Sequence, residues 1–466
     1  MTCVTESSEP VLKQVDQDLE KSLDRLFDLL RIPSISAQPK HADDCRRAAE
    51  WLRAELTGLG FEASVRETPG HPMVVGHDPK AGSALHVLFY GHYDVQPTDP
   101  LTLWKSDPFE PSVTTEADGR KIIVARGASD DKGQLLTFIE ACRAWKAVHG
   151  TLPVKVSLLI EGEEESGGAN LMPFLKANAS ELKADVALIC DTGMPDRKTP
   201  AITTGLRGLV GEEVEIICAT HDLHSGMFGN AARNPIELLC KALGTVRDDK
   251  GRVTFPGFYD NVVVPSQAVR AQWQKIFSDD SVTLAPVGLT HPAGEEGFTA
   301  IEQIWARPSY EINGISGGYE GDGFKTVLPA RAMAKISFRL VPGQDPEAVR
   351  AAFRAHIRSV LPSDAKVSFT EHGASTGFAV PENGPLLQTA LGALSEEWGV
   401  PAVAIGCGGS IPVVAEVKEA LDMDSLLVGF AQDDDRIHSP NEQYGVESFH
   451  KGIRSWVRIL DAFSRS

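Results

Sequence analysis

Short apolar runs that alternate with helical patterns constrain the fold of this chain most strongly. The runs Leu85–Tyr90, Val154–Ile160 and Ala187–Cys190 are apolar at nearly every position, so each is typical of a strand buried on both faces. Asp131–Val148, between two of them, has the pattern of a helix. The sequence therefore predicts an α/β fold with a mixed, mostly parallel sheet that is flanked by helices.

The character of the sequence changes after about Arg207 and changes back at Pro385. Two longer strand patterns, Val210–Ala219 and Ala332–Val341, lie in between, and residues 250–310 are rich in Pro and Gly and are expected to be irregular. A chain of 466 residues is also too long for one ordinary core. We predict one discontinuous domain and an inserted, smaller antiparallel α+β domain, with bounds at 1–207 plus 380–466 and at 208–379.

The composition limits the possible partners and compartments. A net charge of −19 argues against nucleic acid and anionic membranes as partners, and no apolar stretch is long enough to span a bilayer. The first residues, MTCVTESSEP, lack the basic and apolar regions of a secretory signal. Seven cysteines without a CxxC pair do not form a disulfide framework. We expect a cytoplasmic protein that binds neither nucleic acid nor membranes.

Acidic and histidine side chains follow the predicted strands. His92 and Asp94 come after one strand, Asp191 follows another, and further candidates are Asp130, Asp131, Glu163, Glu164, Glu165 and His438. Ligands in open α/β sheets bind outside the carboxyl ends of the strands. His, Asp and Glu are the ligands of hydrolytic zinc or manganese sites, and this set exceeds the needs of one ion. The pattern predicts two ions that share a bridging ligand.

Each of these candidates also has a simpler interpretation. Asp130 and Asp131 could cap the helix that follows them, the glutamate run could be a solvated loop, and His438 could be an exposed loop residue. Asp94 is two residues from His92, which suits a supporting role on the other ring nitrogen of that histidine. The coincidence of all of these groups at strand ends favours a single site.

Six segments resemble one known family along almost the whole chain and in the expected order. They are GHYDVQP, GASDDKGQ, EGEEESGG, DLHSGMFG, DGFKTVLPA and HSPNE. The chain is similar to the di-metal exopeptidases, which include aminoacylase, glutamate carboxypeptidase and succinyl-diaminopimelate desuccinylase. With GGSIP, it most resembles the branch of the cytosolic nonspecific dipeptidase and carnosinase. The resemblance implies a zinc-exopeptidase-like fold with a lid and dimerisation insert, and two divalent ions per subunit, zinc or manganese with cobalt possible.

The resemblance also implies a role for each residue of the metal motifs. Asp130 would bridge the two ions, joined to Asp131 by a cis peptide bond. Glu164 would be the general base, Asp94 and Asp131 would support the centre, and Glu163 would be a bystander. The remaining ligands would be His92 and Asp191 at one ion, and Glu165 and His438 at the other.

The implied substrate is a dipeptide or similar short peptide with a free C-terminal carboxylate. His224 would reach the active site of the other subunit of a homodimer and polarise the scissile carbonyl. Arg339 suits a clamp on the C-terminal carboxylate, and Thr326 and Ser410 would also contact the substrate. The dipeptidase branch often carries Arg-Glu before Gly-Gly-Ser, whereas this chain has Gly406-Cys407, which leaves the side-chain preference open.

Other functions remain open at this stage. The same scaffold serves N-acyl-amino-acid deacylases, and a non-catalytic binder, or an interaction protein that uses the insert only to dimerise, would keep the same fold. Gly314–Gly318 matches the G-x-S-x-G pattern of serine hydrolases. A nucleophile elbow requires a strand–turn–helix context, which the following Gly-rich sequence does not predict.

Overall fold

A computed structural model describes residues 7–79 and 85–466, so Cys3 and most of the N-terminal segment discussed above lie outside the described residues. The chain divides into two compact units. The first consists of Met1–Thr204, Val380–Ala404 and Pro412–Ser466, and the second of Gly205–Ala379 and Ile405–Ile411. No helix among the described residues is long and apolar enough to cross a membrane.

Helices and strands alternate along the first unit, as the apolar pattern predicts. The α-helices of the described residues are α1 (Ser8–Leu30), α2 (Ala42–Gly58), α3 (Lys132–His149), α4 (Leu171–Ala177), α5 (Ala179–Leu182), α6 (Ser225–Phe228), α7 (Pro235–Gly244), α8 (Gln267–Ile276), α9 (Asp280–Leu284), α10 (Ala300–Trp305), α11 (Pro346–Val360), α12 (Pro385–Trp398), α13 (Pro412–Leu421) and α14 (Val446–Phe463). The strands are β1 (Glu62–Arg66), β2 (Met73–His77), β3 (His86–His92), β4 (Ser112–Thr115), β5 (Lys121–Val124), β6 (Lys155–Glu161), β7 (Val186–Ile189), β8 (Ala201–Leu206), β9 (Gly208–Ile217), β10 (Leu223–His224), β11 (Ser309–Ser316), β12 (Val327–Leu328), β13 (Arg331–Leu340), β14 (Lys366–Ser375), β15 (Phe378–Ala379), β16 (Val403–Cys407), β17 (Ser425–Leu427) and β18 (Gln443–Gly445).

The main sheet of the first unit has the strand order β1-β2-β6-β3-β7-β17-β8. Its central strands β6, β3, β7 and β17 run parallel, whereas β1, β2 and β8 pair antiparallel with their neighbours. β3 and β6 are buried at nearly every position, because helices cover both faces. The predicted α/β class with a mixed sheet flanked by helices is confirmed.

An aromatic cluster fixes α3 and α14 on this sheet. Phe89 of β3 stacks on Phe138 of α3 with ring centroids 3.9 Å apart, and Trp456 of α14 meets Phe138 edge-on at 5.3 Å. The indole nitrogen of Trp456 donates a hydrogen bond of 3.0 Å to Thr137 Oγ1. Truncating a buried Phe or Trp to Ala typically costs about 3–5 kcal/mol, so this cluster anchors α3 firmly. The helix begins at Lys132, two residues after the predicted bridging residue Asp130.

A second, smaller sheet in the same unit has the antiparallel order β18-β5-β4. β5 precedes the Asp130 segment, and β18 follows the His438 segment. β18 pairs with β5 from Gln443, which lies opposite Val124, to Gly445. This sheet therefore brings two segments together that are more than 300 residues apart in sequence.

The second unit is an antiparallel sheet, β11-β13-β9-β14, covered by helices on one face. Burial alternates along β9 and β13, as expected when one face packs on a core. Phe338 of β13 packs against Phe353 of α11 with ring centroids 5.2 Å apart. The predicted antiparallel α+β insert is confirmed, whereas its assignment as a lid and dimerisation domain, with the predicted bounds, stays a prediction.

Residues 250–310 are only partly irregular, so that expectation is wrong in part. They contain α8, α9 and α10, each of which begins at a capping side chain: Ser266, Asp279 and Thr299. Trp273 and Trp305 pack edge-on at 5.2 Å and form a small core of their own. Short helices of five to ten residues between Pro- and Gly-rich turns do not give a clear helical period in the sequence.

Candidate metal centre and active site

Three parallel strands of the main sheet end at the predicted metal site. His92 is the last residue of β3, Asp191 lies two residues beyond β7, and Glu164 and Glu165 lie in a 3-10 turn just beyond β6. Because β6, β3 and β7 are parallel neighbours, their carboxyl ends meet at one edge of the sheet.

Asp130 lies at the centre of the cluster and uses both of its carboxylate oxygens. Its Oδ1 is 3.1 Å from Nε2 of His92, and its Oδ2 is 2.9 Å from Nε2 of His438. That same nitrogen of His438 is 3.2 Å from Oε2 of Glu165. Two groups of potential ligand atoms, each with all its members within 4.8 Å of one another, share Asp130: His92, Asp130 and Asp191, and Asp130, Glu165 and His438. The structure thus brings all five predicted ligands together.

Burial and like charges make this cluster costly without a cation. Burial raises the pKa of Asp191 well above its ordinary value, and the neighbouring Asp130 carboxylate adds to this rise. Burial also acts to raise the pKa of Asp130, but hydrogen bonds from His438 and His92 outweigh it and lower that pKa. Hydrogen bonds to Asp130 and Glu165 raise the pKa of His438 to about 10. The carboxylates of this cluster therefore stabilise a proton or a metal cation that lies among them.

The residues present fit two divalent ions. Nδ1 of His92 is 3.1 Å from the backbone oxygen of Asp94, so that nitrogen carries the proton in a neutral ring. The lone pair of Nε2 then faces a carboxylate oxygen of Asp130, and only a proton or a cation can lie favourably between these two acceptors. Imidazole nitrogen and carboxylate oxygen form the ligand set of zinc and manganese hydrolases, and a shared carboxylate is typical of paired ions.

Asp94 and Asp131 hold the ligands in place. Oδ2 of Asp94 accepts hydrogen bonds from Ser36 Oγ at 2.6 Å and from the backbone N–H of Glu165 at 3.0 Å. Oδ2 of Asp131 accepts the backbone N–H of His92 at 3.1 Å. This approach requires Gly91, since a Cβ there would lie 2.9 Å from Asp131 Oδ2. The Asp130–Asp131 peptide bond is cis, as the resemblance implies.

The three consecutive glutamates have different surroundings. The Glu163 carboxylate accepts a hydrogen bond of 2.7 Å from the side-chain amide of Asn170 and belongs to neither ligand group. Glu165 belongs to one ligand group. Among the described residues, no group donates a hydrogen bond to the Glu164 carboxylate, and burial raises its pKa although His92 opposes this rise. Glu164 is thus the glutamate whose lone pairs are available to accept a proton.

Analysis of the sequence missed two side chains that support the ligands. Nε2 of Gln96 donates hydrogen bonds to Oε2 and the backbone oxygen of Glu165, at 2.8 and 3.3 Å. Glu442 contacts the backbone of the Asp130 segment. Both residues lie within motifs that carry the resemblance, GHYDVQP and HSPNE, and this was the only signal in the sequence that pointed to them.

The predicted substrate residues form two pairs in the second unit. His224 lies opposite Val327 in a short antiparallel pairing, and the backbone oxygen of Thr326 accepts the N–H of Ser225 at 3.0 Å. Nδ1 of His224 accepts the N–H of Gly226 at 3.0 Å, so a neutral ring presents its Nε2–H outward as a donor. In the other pair, Nη1 of Arg339 lies 3.5 Å from Ser410 Oγ.

The departure at Gly406 has a structural cause within the second unit. A Cβ on Gly406 would lie only 2.6 Å from Cβ of Trp305, and a Cβ on Gly408 would lie 2.7 Å from Cγ2 of Ile304. α10 therefore packs directly on the backbone of the loop that carries Ser410. A side chain at position 406, such as the arginine of the dipeptidase branch, would require this helix to move.

A known protein family matches most of this chain. The model of the peptidase family M20/M25/M40 matches residues 88–462. The chain belongs to this family. Together with the relatives described next, this match confirms the resemblance to the di-metal exopeptidases and to their dipeptidase branch. It also confirms the expectation of a hydrolase of the metallopeptidase type.

Similar relatives carry dipeptidase and carboxypeptidase names. The Cys-Gly metallodipeptidase of Schizosaccharomyces pombe is 30% identical over 464 residues, which cover 96% of this chain and 96% of the relative. The Beta-Ala-His dipeptidase of Rattus norvegicus is 30% identical over 482 residues, with 98% and 96% covered. The solved structure of an M20 family metallo-carboxypeptidase from Sulfolobus solfataricus has a TM-score of 0.79 and 31% identity, and covers 96% of this chain and 100% of that chain.

Proposed function

We propose that this chain is a metal-dependent dipeptidase that hydrolyses dipeptides or similar short peptides with a free C-terminal carboxylate. The observation that carries the proposal is the pair of ligand groups that share Asp130, beside Glu164, to whose carboxylate none of residues 7–79 and 85–466 donates a hydrogen bond. The dipeptidase names of relatives that cover nearly the whole chain support this substrate class over N-acyl amino acids.

Two divalent ions, zinc or manganese with cobalt as a further possibility, would be held by the five residues of the two ligand groups. When bound, such ions lower the pKa of a water molecule and polarise the peptide carbonyl. Glu164 accepts the proton of the attacking water and then delivers it to the leaving amine. Asp94 and Asp131 hold His92 and Glu165 in the orientation that binding requires.

The residues of the second unit would act on the substrate. The outward Nε2–H of His224 would stabilise the oxyanion of the tetrahedral intermediate. Arg339 would pair with the C-terminal carboxylate, with Ser410 and Thr326 as further substrate contacts. This assignment explains why a free carboxylate is expected on the substrate.

We further infer a homodimer in which His224 acts in the active site of the other subunit. Two large apolar side chains close to His224 in the sequence are exposed, Met227 (75%) and Phe228 (43%). Phe324 (91% exposed) lies three residues before Val327, the strand partner of His224. Exposed apolar groups that are close together are typical of an interaction surface.

The unpaired state of the six described cysteines supports a reducing compartment, the cytoplasm.

Metal analysis of the purified protein, followed by assay with each reconstituted ion, tests the proposal. The substrate panel should contain free dipeptides, tripeptides, N-acyl amino acids and C-terminally amidated dipeptides. We expect two ions per chain and the highest kcat/KM on free dipeptides. Preferential turnover of N-acyl amino acids would identify a deacylase instead, and absence of both metal and turnover would identify a non-catalytic binder. Preference for tripeptides would favour a carboxypeptidase, the activity named for the relative from Sulfolobus solfataricus.

A further inference from the structure

The carboxylate of Glu442 is fully buried and accepts four hydrogen bonds from one segment of the chain. Its Oε1 accepts the backbone N–H groups of Ser129 at 2.9 Å and Asp130 at 3.0 Å. Its Oε2 accepts the N–H of Gly127 at 2.9 Å and Nη1 of Arg126 at 2.8 Å. Glu442 lies four residues after His438, so it joins the segment that carries one ligand to the segment that carries another.

Asp435 makes a second connection between the same two segments. Its Oδ2 accepts hydrogen bonds from Ser129 Oγ at 2.8 Å and from the backbone N–H of Gln432 at 2.8 Å. Asp435 and Glu442 thus flank His438 in sequence, and both contact the residues immediately before Asp130. The position of His438 relative to Asp130 is therefore set at two points.

The backbone around His438 does not hold this conformation by local preference. Arg436, His438 and Asn441 have φ angles of 57°, 62° and 62°, in the left-handed region that L side chains rarely adopt. The cost of these conformations must be offset by contacts elsewhere. The described contacts of Glu442 and Asp435 supply such an offset.

We propose that Glu442 is a positioning residue of the metal centre: it fixes Asp130 relative to His438, so that their ligand atoms meet at the distance a metal ion needs. The inference rests on the metal centre proposed above. Because Asp130 belongs to both ligand groups, loss of the Glu442 carboxylate weakens the binding of both ions. The effect is larger for the ion held with Glu165 and His438. Loss of a group that orients metal ligands typically lowers metal affinity about 10- to 100-fold.

The test is zinc affinity of the full chain, measured by competition with a chromophoric chelator, for the parent protein and Glu442→Gln. Glutamine has nearly the same size but must turn its amide NH₂ toward one of the two pairs of donors, so the four hydrogen bonds cannot all persist. We expect zinc affinity to fall about 10- to 100-fold. We also expect kcat to recover toward the parent value as zinc is raised, while KM stays unchanged, a recovery that a merely structural role would not give.

Glu140→Gln is the matched control. Glu140 is a buried carboxylate of the same unit, and it accepts hydrogen bonds from Arg25 Nε at 2.7 Å and Ser22 Oγ at 2.8 Å, neither of which belongs to a ligand group. We expect this variant to unfold at a lower temperature and to keep the zinc affinity of the parent. If Glu140→Gln and Glu442→Gln lose affinity equally, the effect is a general loss of stability and the inference is overturned.

The remaining outcomes separate the inference from the proposed function. Parent affinity in Glu442→Gln, with two ions bound to the parent protein, overturns the positioning role alone. A parent protein that binds no zinc, manganese or cobalt overturns the metal centre itself. If Glu442→Gln does not fold, Glu442→Asp serves in its place, since it keeps the charge but is one methylene too short. It must then bind zinc more weakly than the parent, and parent affinity overturns the inference.

Discussion

Replacing Glu164 by glutamine is expected to abolish most of the activity and to leave the structure intact. Glutamine matches the size of glutamate but cannot accept a proton at neutral pH. The carboxylate accepts no hydrogen bond within the described part of the chain, so the substitution breaks none there. It also removes one negative charge close to Asp130, Asp191 and Glu165, which reduces repulsion.

The size of the effect follows from these contacts. A general base contributes about 10²- to 10⁴-fold to a rate. Since a tenfold change corresponds to about 1.36 kcal/mol, the barrier should rise by about 2.7–5.4 kcal/mol. Because the substitution breaks no described hydrogen bond and reduces repulsion among the acids, it should not lower the free energy of unfolding. We therefore expect the loss in kcat, with an unfolding midpoint no lower than that of the parent protein and with the parent's metal content.

The assay is steady-state hydrolysis of a dipeptide by protein whose metal content is measured in the same preparation. Glu163→Gln is the matched control, because Glu163 is the adjacent acid and its carboxylate is bound by Asn170 instead. We expect Glu163→Gln to keep kcat within an order of magnitude of the parent. A Glu164→Gln protein that binds two ions and keeps the parent kcat would refute the assignment of the general base.

The other expectations concern the second unit. His224→Ala should lower kcat about 10²- to 10³-fold, as loss of one oxyanion donor does. If His224 acts in the other subunit, mixing this variant with Glu164→Gln should restore part of the activity, and no recovery in exchanged dimers would exclude action in trans. Arg339→Lys should lower kcat/KM about 10- to 100-fold on free dipeptides but little on their amides, and equal losses on both would contradict the carboxylate clamp. Gly406→Ala should lower the free energy of unfolding by about 1–3 kcal/mol, measured in urea, because its Cβ would collide with α10. Gly409→Ala, whose Cβ has its nearest neighbour at 3.7 Å, is the control and should unfold with the parent.

Elements with a strong apolar period could be predicted almost to the residue. The predicted helix Asp131–Val148 is observed as α3, Lys132–His149. Pro346 and Pro385 likewise mark the first turns of α11 and α12. The short helices α8, α9 and α10 were missed, although the capping box of Thr299 with Glu302 was visible in the sequence. Their cores are formed by residues that lie about 30 positions apart, such as Trp273 and Trp305, and local spacing does not report such contacts.

The positions of predicted strands could identify some of the metal ligands but not the supporting residue Gln96. His92 and Asp191 lie at the ends of parallel strands, and the rule for parallel sheets brings such residues together without any knowledge of the family. Gln96 was missed because its contact with Glu165 spans 69 residues and involves a residue type that is rarely a ligand.

His438 differs from these ligands because no strand end presents it to the site. Its side chain is 53% exposed and its φ is positive, so neither burial nor an ordinary backbone preference fixes its position. The residues that do so, Asp435 and Glu442, act through hydrogen bonds to Ser129 and Asp130 more than 300 residues away. A ligand held in this way has no local signature, so the sequence identifies it only through a whole motif such as HSPNE, in which histidine and glutamate stand at a fixed separation. At this separation, both residues contact Asp130. His438 lies against the Asp130 carboxylate, and Glu442 accepts a hydrogen bond from the backbone N–H of Asp130.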